Sequence, residues 1–341
     1  MNEKQREHSD TEGSDLSTKY TLAIETSCDE TCAAVVDSDL KVYSNIVSSQ
    51  IDIHKLYGGV VPEVASRNHL AAIGNVVEEA LRVANVDIRQ IAQIAATTQP
   101  GLVGAVMVGR VFAESLALAS NKPFVEVNHL MGHIASVFLS NPTLKPPLVC
   151  LVVSGGHTSL YRVNYFSKCE ASGKVKAEGT PSVQLISHTI DDACGEAFDK
   201  VAKVLGLGYP GGPIISKIAE QSGCDYNIPL MEKSNYKKDL NFSYSGLKSA
   251  VINYINRRRQ KNEEINIADA CHAFQREAIA QLVVKCNMAR GDMPLAICGG
   301  VAANQFLREC LPDAFFPELK YCGDNAAMIA AAAILFKDVK L

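Results

Sequence analysis

Tyr20-Thr21-Leu22-Ala23-Ile24-Glu25-Thr26-Ser27-Cys28-Asp29-Glu30-Thr31-Cys32-Ala33-Ala34-Val35-Val36 decides how this chain folds. Its two ends, Tyr20 to Glu25 and Cys32 to Val36, are short apolar runs that read as buried strands. Between them, Thr26 to Thr31 carries hydroxyls and acids where a simple hairpin turn would use Asn-Gly or Gly-Gly. The plain alternative is a solvated hairpin. A third strand, Lys41 to Val47, follows a turn at Asp37 to Asp39. Further on, Gly58-Gly59 turns the chain and Pro62 suits the first position of a helix from Glu63 to Ala84. Ile91 to Thr97 reads as a strand, Gly101 to Ser120 as a helix of small residues, and Phe124 to Val127 as another strand. Strands alternating with helices indicate an α/β sheet.

That last strand delivers the chain to Asn128-His129-Leu130-Met131-Gly132-His133. Histidines at i and i+4 project from one helical face, the spacing at which two neutral imidazoles share a metal ion. The alternative is a pair of histidines capping a partly exposed helix. Asp324 opens the last helical run and offers a third ligand, or else an N-cap. A cation held by His129, His133 and Asp324 would tie the middle of the chain to its end and leave coordination positions open for a substrate. Leu130 stands where a metalloprotease H-E-x-x-H would place its glutamate.

Pro-rich punctuation from Asn141 to Pro147 marks a boundary. We expect a lobe over residues 19–145, a second over 146–322, and a C-terminal helix over 323–341 packing back on the first. Leu148 to Val153 is a buried strand ending in Ser154-Gly155-Gly156-His157-Thr158, where adjacent glycines allow close backbone approach and positive φ. Residues 164–180 read as an exposed loop. A helix begins at Asp191, with Asp192, Glu196 and Asp199 along one face; a solvated acidic face is the alternative. Tyr209 to Pro213 is a tight glycine turn. Asn241 to Lys248 leads into a helix bearing Arg257, Arg258 and Arg259, which with Lys237, Lys238 and Lys248 form the densest basic group. Ile267 to Ala289 is a core helix and Leu295 to Cys298 a strand. Gly299 to Asn304 then opens a helix, the setting in which anions bind N–H groups. No Walker A pattern occurs.

The 341 residues suit two domains or one large one, and the 47% hydrophobic content supports an ordinary core. No uninterrupted run reaches the roughly 18–20 apolar residues of a membrane span. The first 18 residues are polar, of mixed sign, and read as a disordered tail. Eleven cysteines, without a C-x-x-C pair, argue for free thiols in a reducing cytoplasm. A net charge of -4 excludes a globally basic nucleic-acid binder but leaves room for a local patch.

Strand, hydroxyl- and acid-bearing turn, strand resembles the phosphate-facing hairpin of the actin, sugar-kinase and Hsp70 ATPases. The blocks Ala23 to Thr31, Gly58 to Arg67, Pro100 to Gly109, His129 to His133, Val152 to Thr158, Asp191 to Lys200, Tyr209 to Pro213, Phe242 to Lys248, Gly299 to Asn304 and Asp324 to Ala330 together resemble one family. It is the TsaD/Kae1/Qri7 family, which makes N6-threonylcarbamoyladenosine in tRNA, and the bacterial form is nearest in wording. The resemblance implies an α/β, two-lobed actin/sugar-kinase/Hsp70-like (ASKHA) fold with the site between the lobes. It implies a cytoplasmic, metal-dependent transferase with one divalent cation, Fe2+ or Zn2+, on His129, His133 and Asp324. Val152, Val153, Ser154, Gly155, Gly156, Asp199, Gly212 and Asn304 would bind the nucleotide-like substrate, and Asp29 would matter for activity. The donor would be threonylcarbamoyl-AMP and the acceptor N6 of the adenosine next to the anticodon. Partners would be a TsaB-like inactive paralogue and a TsaE-like P-loop ATPase, with no membrane involved. Gln99 and Met131 depart from the family's usual glycine and glutamate. The rival readings are a non-catalytic nucleotide-binding scaffold subunit and a metallo-endopeptidase, the second disfavoured by Leu130.

Overall fold

A computed structural model describes residues 19–165, 168–169, 175–176, 181–222, 228, 230, 236, 238–336 and 339. The expected tail, Lys237 and most of the 164–180 segment lie outside these residues. The first sheet holds β1 (Tyr20–Glu25), β2 (Glu30–Asp37), β3 (Val42–Ser49), β4 (Ile91–Gln99) and β5 (Phe124–Asn128), in the order β3-β2-β1-β4-β5. β1 to β3 are antiparallel, while β4 and β5 run parallel to β1 and to each other. Its helices are α1 (Ile51–Lys55), α2 (Pro62–Ala84), α3 (Val103–Ser120) and α4 (His129–Ser140).

The second sheet repeats the plan. It holds β6 (Leu148–Val153), β7 (Thr158–Tyr165), β10 (Pro181–His188) and β11 (Leu295–Cys298), in the order β10-β7-β6-β11 with β6 and β11 parallel. Lys168–Cys169 (β8) and Val175–Lys176 (β9) pair separately. The remaining helices are α5 (Cys194–Leu205), α6 (Gly211–Ala219), α7 (Ser245–Gln260), α8 (Ile267–Arg290), α9 (Gln305–Cys310) and α10 (Ala326–Leu335).

The period-2 alternation of side chains sorts these strands into layers. On β1, Leu22 and Ile24 face α2 and α3, whereas Ala23 faces the interior shared with α4 and α10. On β6, Val149, Leu151 and Val153 face α5 to α8, and Leu148, Cys150 and Val152 face that same interior. So α4 and α10 lie between the sheets, in one apolar cluster drawn from both. Small residues make this layer thin: a Cβ on Gly132 of α4 would come within 2.6 Å of Ile329 on α10. That close crossing brings the start of α10 to the histidines of α4.

Several expectations need correcting. Residues 164 and 165 end β7 instead of opening a loop. Asp192 precedes α5 instead of lying on it, because Thr158 Oγ1 accepts the Cys194 N–H at 2.8 Å and fixes the helix start there. The short helix α6 follows the Tyr209–Pro210 turn. By length and average composition α3 is apolar enough to cross a membrane, despite Arg110 and Glu114 within it. The search for uninterrupted apolar runs passed over it. In the fold α3 packs on β4 and α2, and Arg110 pairs with Glu126 of β5 at 2.7 Å.

Candidate metal centre and nucleotide cleft

The turn between β1 and β2 is locked from below. Thr26 Oγ1 donates to the Ala105 carbonyl at 2.8 Å, and the Leu102 N–H donates to the Ser27 carbonyl at 2.8 Å. Gly109 permits this approach, since a Cβ there would lie 2.2 Å from Thr26 Oγ1. From the other side fully buried His69 places Nε2 2.9 Å from the Cys28 carbonyl and Nδ1 2.8 Å from Thr31 Oγ1. A carbonyl only accepts, so Nε2 carries the proton and Nδ1 accepts from the hydroxyl. Asp29, nearly buried, is thereby held at the rim of the cleft.

His129 and His133 are buried, with ring centroids 4.7 Å apart. Their Nε2 atoms stand 3.5 Å and 3.3 Å from Asp324 Oδ1. Neither histidine caps the helix, because Asn128 does so through the Leu130 N–H. Nor does Asp324 cap α10, since Asn325 accepts the Met328 N–H. None of the three side chains is therefore taken up by helix capping. One donor atom from each lies within 4.8 Å of the others. His133 is buried with no polar partner on Nδ1 and only the Asp324 carboxylate near Nε2, a costly arrangement for a polar group unless a ligand completes it. The donor set, two imidazoles and one carboxylate, fits a divalent transition metal.

Charge balance points the same way. Burial works against the charged form of His129, yet Asp324 and Glu25 outweigh it and raise its pKa to about 9. Burial would raise the Asp324 carboxyl, but His129 and then His133 hold it well below the usual range. In the metal-free protein a proton on His129 thus occupies a centre that suits a cation. His157, pushed down to about 4 by burial and then by His129 and His133, faces the same centre. Burial and then Asp29 push Glu30 up to about 9.

The second half of the candidate set gathers around the end of β6. Val152 and Val153 are fully buried, backbone included, so the exposed surface at the end of β6 comes from the residues that follow them. Ser154 closes a turn with His157 (Ser154 N–H to the His157 carbonyl, 2.8 Å), leaving Gly155 and Gly156 exposed. A Cβ on either, or on Gly212, would meet open space. The positive φ expected at Gly155-Gly156 is absent; it occurs at Gly299, at 94°, where a Cβ would sit 2.3 Å from the Val153 carbonyl. Asp199 caps α6, accepting the Gly211 N–H at 2.7 Å. Burial first, and the charge of Asp29 among the rest, raise its pKa, so Asp29 and Asp199 lie within electrostatic reach of each other. Asn304 caps α9 through the Leu307 N–H, and its Nδ2 donates to Ser216 and Gln275, each at 2.9 Å. Its side chain positions the cleft floor and is already engaged there.

The structure thus brings His129, His133 and Asp324 into one cluster, with Asp29 buried in the turn before β2 and the Asp199 carboxylate at the start of α6. Glu25 is a site group that the sequence does not announce, and Asp192, expected on an acidic helix face, is tied into ion pairs instead. Glu25 reads as the end of an apolar strand, yet its carboxylate reaches His129. Asp192 is gripped by Lys200 and Lys248, both at 2.6 Å, which hold it at about 2 against burial. Lys248 is thereby committed to an ion pair, whereas Lys238, Arg257 and Arg259 are exposed.

Residues 41–331 match the model of the TsaD family, described as tRNA N6-adenosine threonylcarbamoyltransferase. A protein of that description from Clostridium perfringens (strain SM101) is 49% identical over 331 residues, covering 93% of each chain. Its counterpart from Caldicellulosiruptor saccharolyticus is 46% identical, over 94% of this chain and 93% of its own. Among solved structures, component A of the (R)-2-hydroxyglutaryl-CoA dehydratase of Acidaminococcus fermentans superposes with a TM-score of 0.53 at 13% identity, covering 93% of this chain and 96% of that one. HypF of T. kodakarensis superposes at 0.56 with 14% identity, covering 94% and 49%. At such identities these two show the fold alone. It is the two-sheet ASKHA fold.

Proposed function

This chain belongs to the family of tRNA N6-adenosine threonylcarbamoyltransferases, and from that premise we propose that it moves a threonylcarbamoyl group from threonylcarbamoyl-AMP to N6 of the adenosine next to the anticodon. The adenosine N6–carbonyl carbon bond forms, the carbonyl carbon–oxygen bond to the phosphate breaks, AMP leaves, and N6 gives up a proton. The observation that carries this reading is the buried cluster of His129, His133 and Asp324, in a fold that also leaves the Gly155-Gly156 turn as open backbone.

His129, His133 and Asp324 would hold one divalent cation; a mixed N/O set suits iron and zinc alike. When bound, it supplies Lewis acidity and orients carbonyl oxygens. The chain's own residues do the rest. Backbone N–H groups at Ser154 to Gly156 would hold the phosphate that becomes the leaving group. Gly212, uncluttered at the start of α6, leaves room for the adenylate, and Asp199 and Asn304 keep α6 and α9 in place around it. Asp29 is the candidate acceptor for the N6 proton, because the His69 and Gly109 contacts hold its turn at the cleft rim. Exposed Lys238, Arg257 and Arg259 are candidates for tRNA phosphate contacts. Val103, Met107, Val111 and Leu118 form an exposed apolar stripe along α3, suited to the TsaB-like paralogue. The TsaE-like ATPase would sustain turnover. A cytoplasmic location would suit an enzyme that modifies tRNA.

The test supplies threonylcarbamoyl-AMP and tRNA bearing an adenosine after the anticodon, with those partners present. Modified nucleoside detected by mass spectrometry, dependent on this chain and lost with Asp324→Ala, is the expected result. Equal product from the partners alone would make the chain a scaffold.

A further inference from the structure

We propose that Glu25 is a positioning residue for the metal centre, fixing the tautomer and ring orientation of His129; the inference rests on the metal reading above. Glu25 ends β1 in the interior of the first sheet, between β2 and β4, and is completely buried. A buried carboxylate costs several kcal/mol unless its lone pairs are filled. Here they are. One oxygen accepts the Ser27 N–H; the other accepts the Thr97 hydroxyl and lies 3.1 Å from His129 Nδ1. Core packing needs no acid at this place, since Ala23 and Ile24 fill the preceding positions.

The direction of the hydrogen bond is what matters. An ionised carboxylate only accepts, so His129 must carry its proton on Nδ1 and present the Nε2 lone pair. Nε2 is the nitrogen that faces Asp324. Ser27 Oγ also lies 3.1 Å from Nδ1, but a hydroxyl both donates and accepts, so it cannot choose the tautomer. His133 has no such partner on its Nδ1. The site therefore has one imidazole oriented through its Nδ1 and one without a polar partner on Nδ1. Thr97, from β4, in turn aims Glu25.

Glu25→Gln keeps the size and inverts the logic. With Ser27 N–H bound to the amide oxygen, the amide N–H2 faces His129 Nδ1 and favours a proton on Nε2, where the metal would bind. The probe is Co2+, titrated into metal-free protein by visible absorption and chelator competition, with thermal melting followed in parallel. The parent should bind one Co2+. Glu25→Gln should bind roughly 10–100-fold more weakly while still folded, the usual loss for an outer-shell partner. Thr97→Val, which removes only the hydroxyl that aims the carboxylate, should lose about threefold or more. A merely structural role would lower the melting temperature and leave the affinity of the folded protein alone. Folded Glu25→Gln binding Co2+ as tightly as the parent overturns the proposal. If that variant does not fold, unchanged binding by Thr97→Val overturns it instead. A parent that binds no Co2+ sinks the metal reading itself, and Glu25's role with it, before any variant is made.

Discussion

The turn after β1 and the turn after β6 occupy equivalent places in two sheets built on one plan, yet they are made of opposite materials. Thr26, Ser27 and Asp29 are buried, tied by side-chain and backbone hydrogen bonds to α2 and α3. Gly155 and Gly156 are exposed and front open space. One turn holds charge rigidly where the dielectric is low and electrostatics are strong. The other gives up side chains so that a ligand can reach the backbone. On the proposed function, the duplicated topology would divide the labour, with reaction on the buried side and binding on the open side.

The largest expected effect breaks the buried side at its centre. His133→Ala should remove the bound metal and lower transfer by more than the roughly 10–100-fold typical of an outer-shell loss, with the circular dichroism spectrum retained. Full metal content in that variant, measured by elemental analysis, would remove the site. A second test adds one methyl group to the buried turn. Gly109→Ala gains at most about 1 kcal/mol of helix propensity, but its Cβ would sit 2.2 Å from the fixed Thr26 hydroxyl oxygen. Overpacking of this kind costs about 1–3 kcal/mol, so chemical denaturation should show a net loss. Equal or greater stability would mean that the turn is not locked.

Protons sharpen the comparison further. His129 is raised to about 9 in the metal-free protein, so metal must displace a proton at neutral pH. The proton competes below about 9, and apparent affinity should rise up to about tenfold per pH unit until that point and then level off. A flat profile from pH 6 to 9 in buffered chelator competition would mean that His129 is not a ligand. The same linkage bears on stability without metal. A pKa raised on folding stabilises fully below the unfolded histidine value near 6.5, and this contribution fades as pH rises through about 9. The smallest effect concerns the surface. Replacing Arg257, Arg258 and Arg259 with alanine should weaken tRNA binding and reduce its logarithmic salt slope by up to about one per lost phosphate contact. An unaltered slope in filter binding would move the tRNA face elsewhere.

What could be read in advance followed from physics that is local in sequence. Leu148–Val153 is a continuous apolar run and Tyr20–Glu25 a mostly apolar one, as central strands are, and Leu295–Cys298 is a short apolar run at the sheet edge. His129 and His133 declared their shared face through the helical period alone. β10 was hidden because Pro181–His188 alternates polar residues on a sheet edge. The start of α5 was misplaced because a threonine 36 residues earlier decides it. Glu25 looked like no more than the end of an apolar strand, since nothing in the sequence says that His129 will lie beside it. Asn304 was legible as a helix start, but its grip on Ser216 and Gln275 depends on three separate elements meeting.

The division of labour between the two turns is tested most directly by measuring AMP binding and metal content together in Gly155→Val and Asp324→Ala. Calorimetry should show that Gly155→Val loses AMP binding, because a β-branched side chain fills the open face of the glycine turn, while its metal content stays that of the parent. Asp324→Ala should do the reverse, binding AMP but neither holding metal nor forming product. If Gly155→Val bound AMP as tightly as the parent, or if both variants lost both properties together, the open and buried turns would not be separate binding and reacting halves.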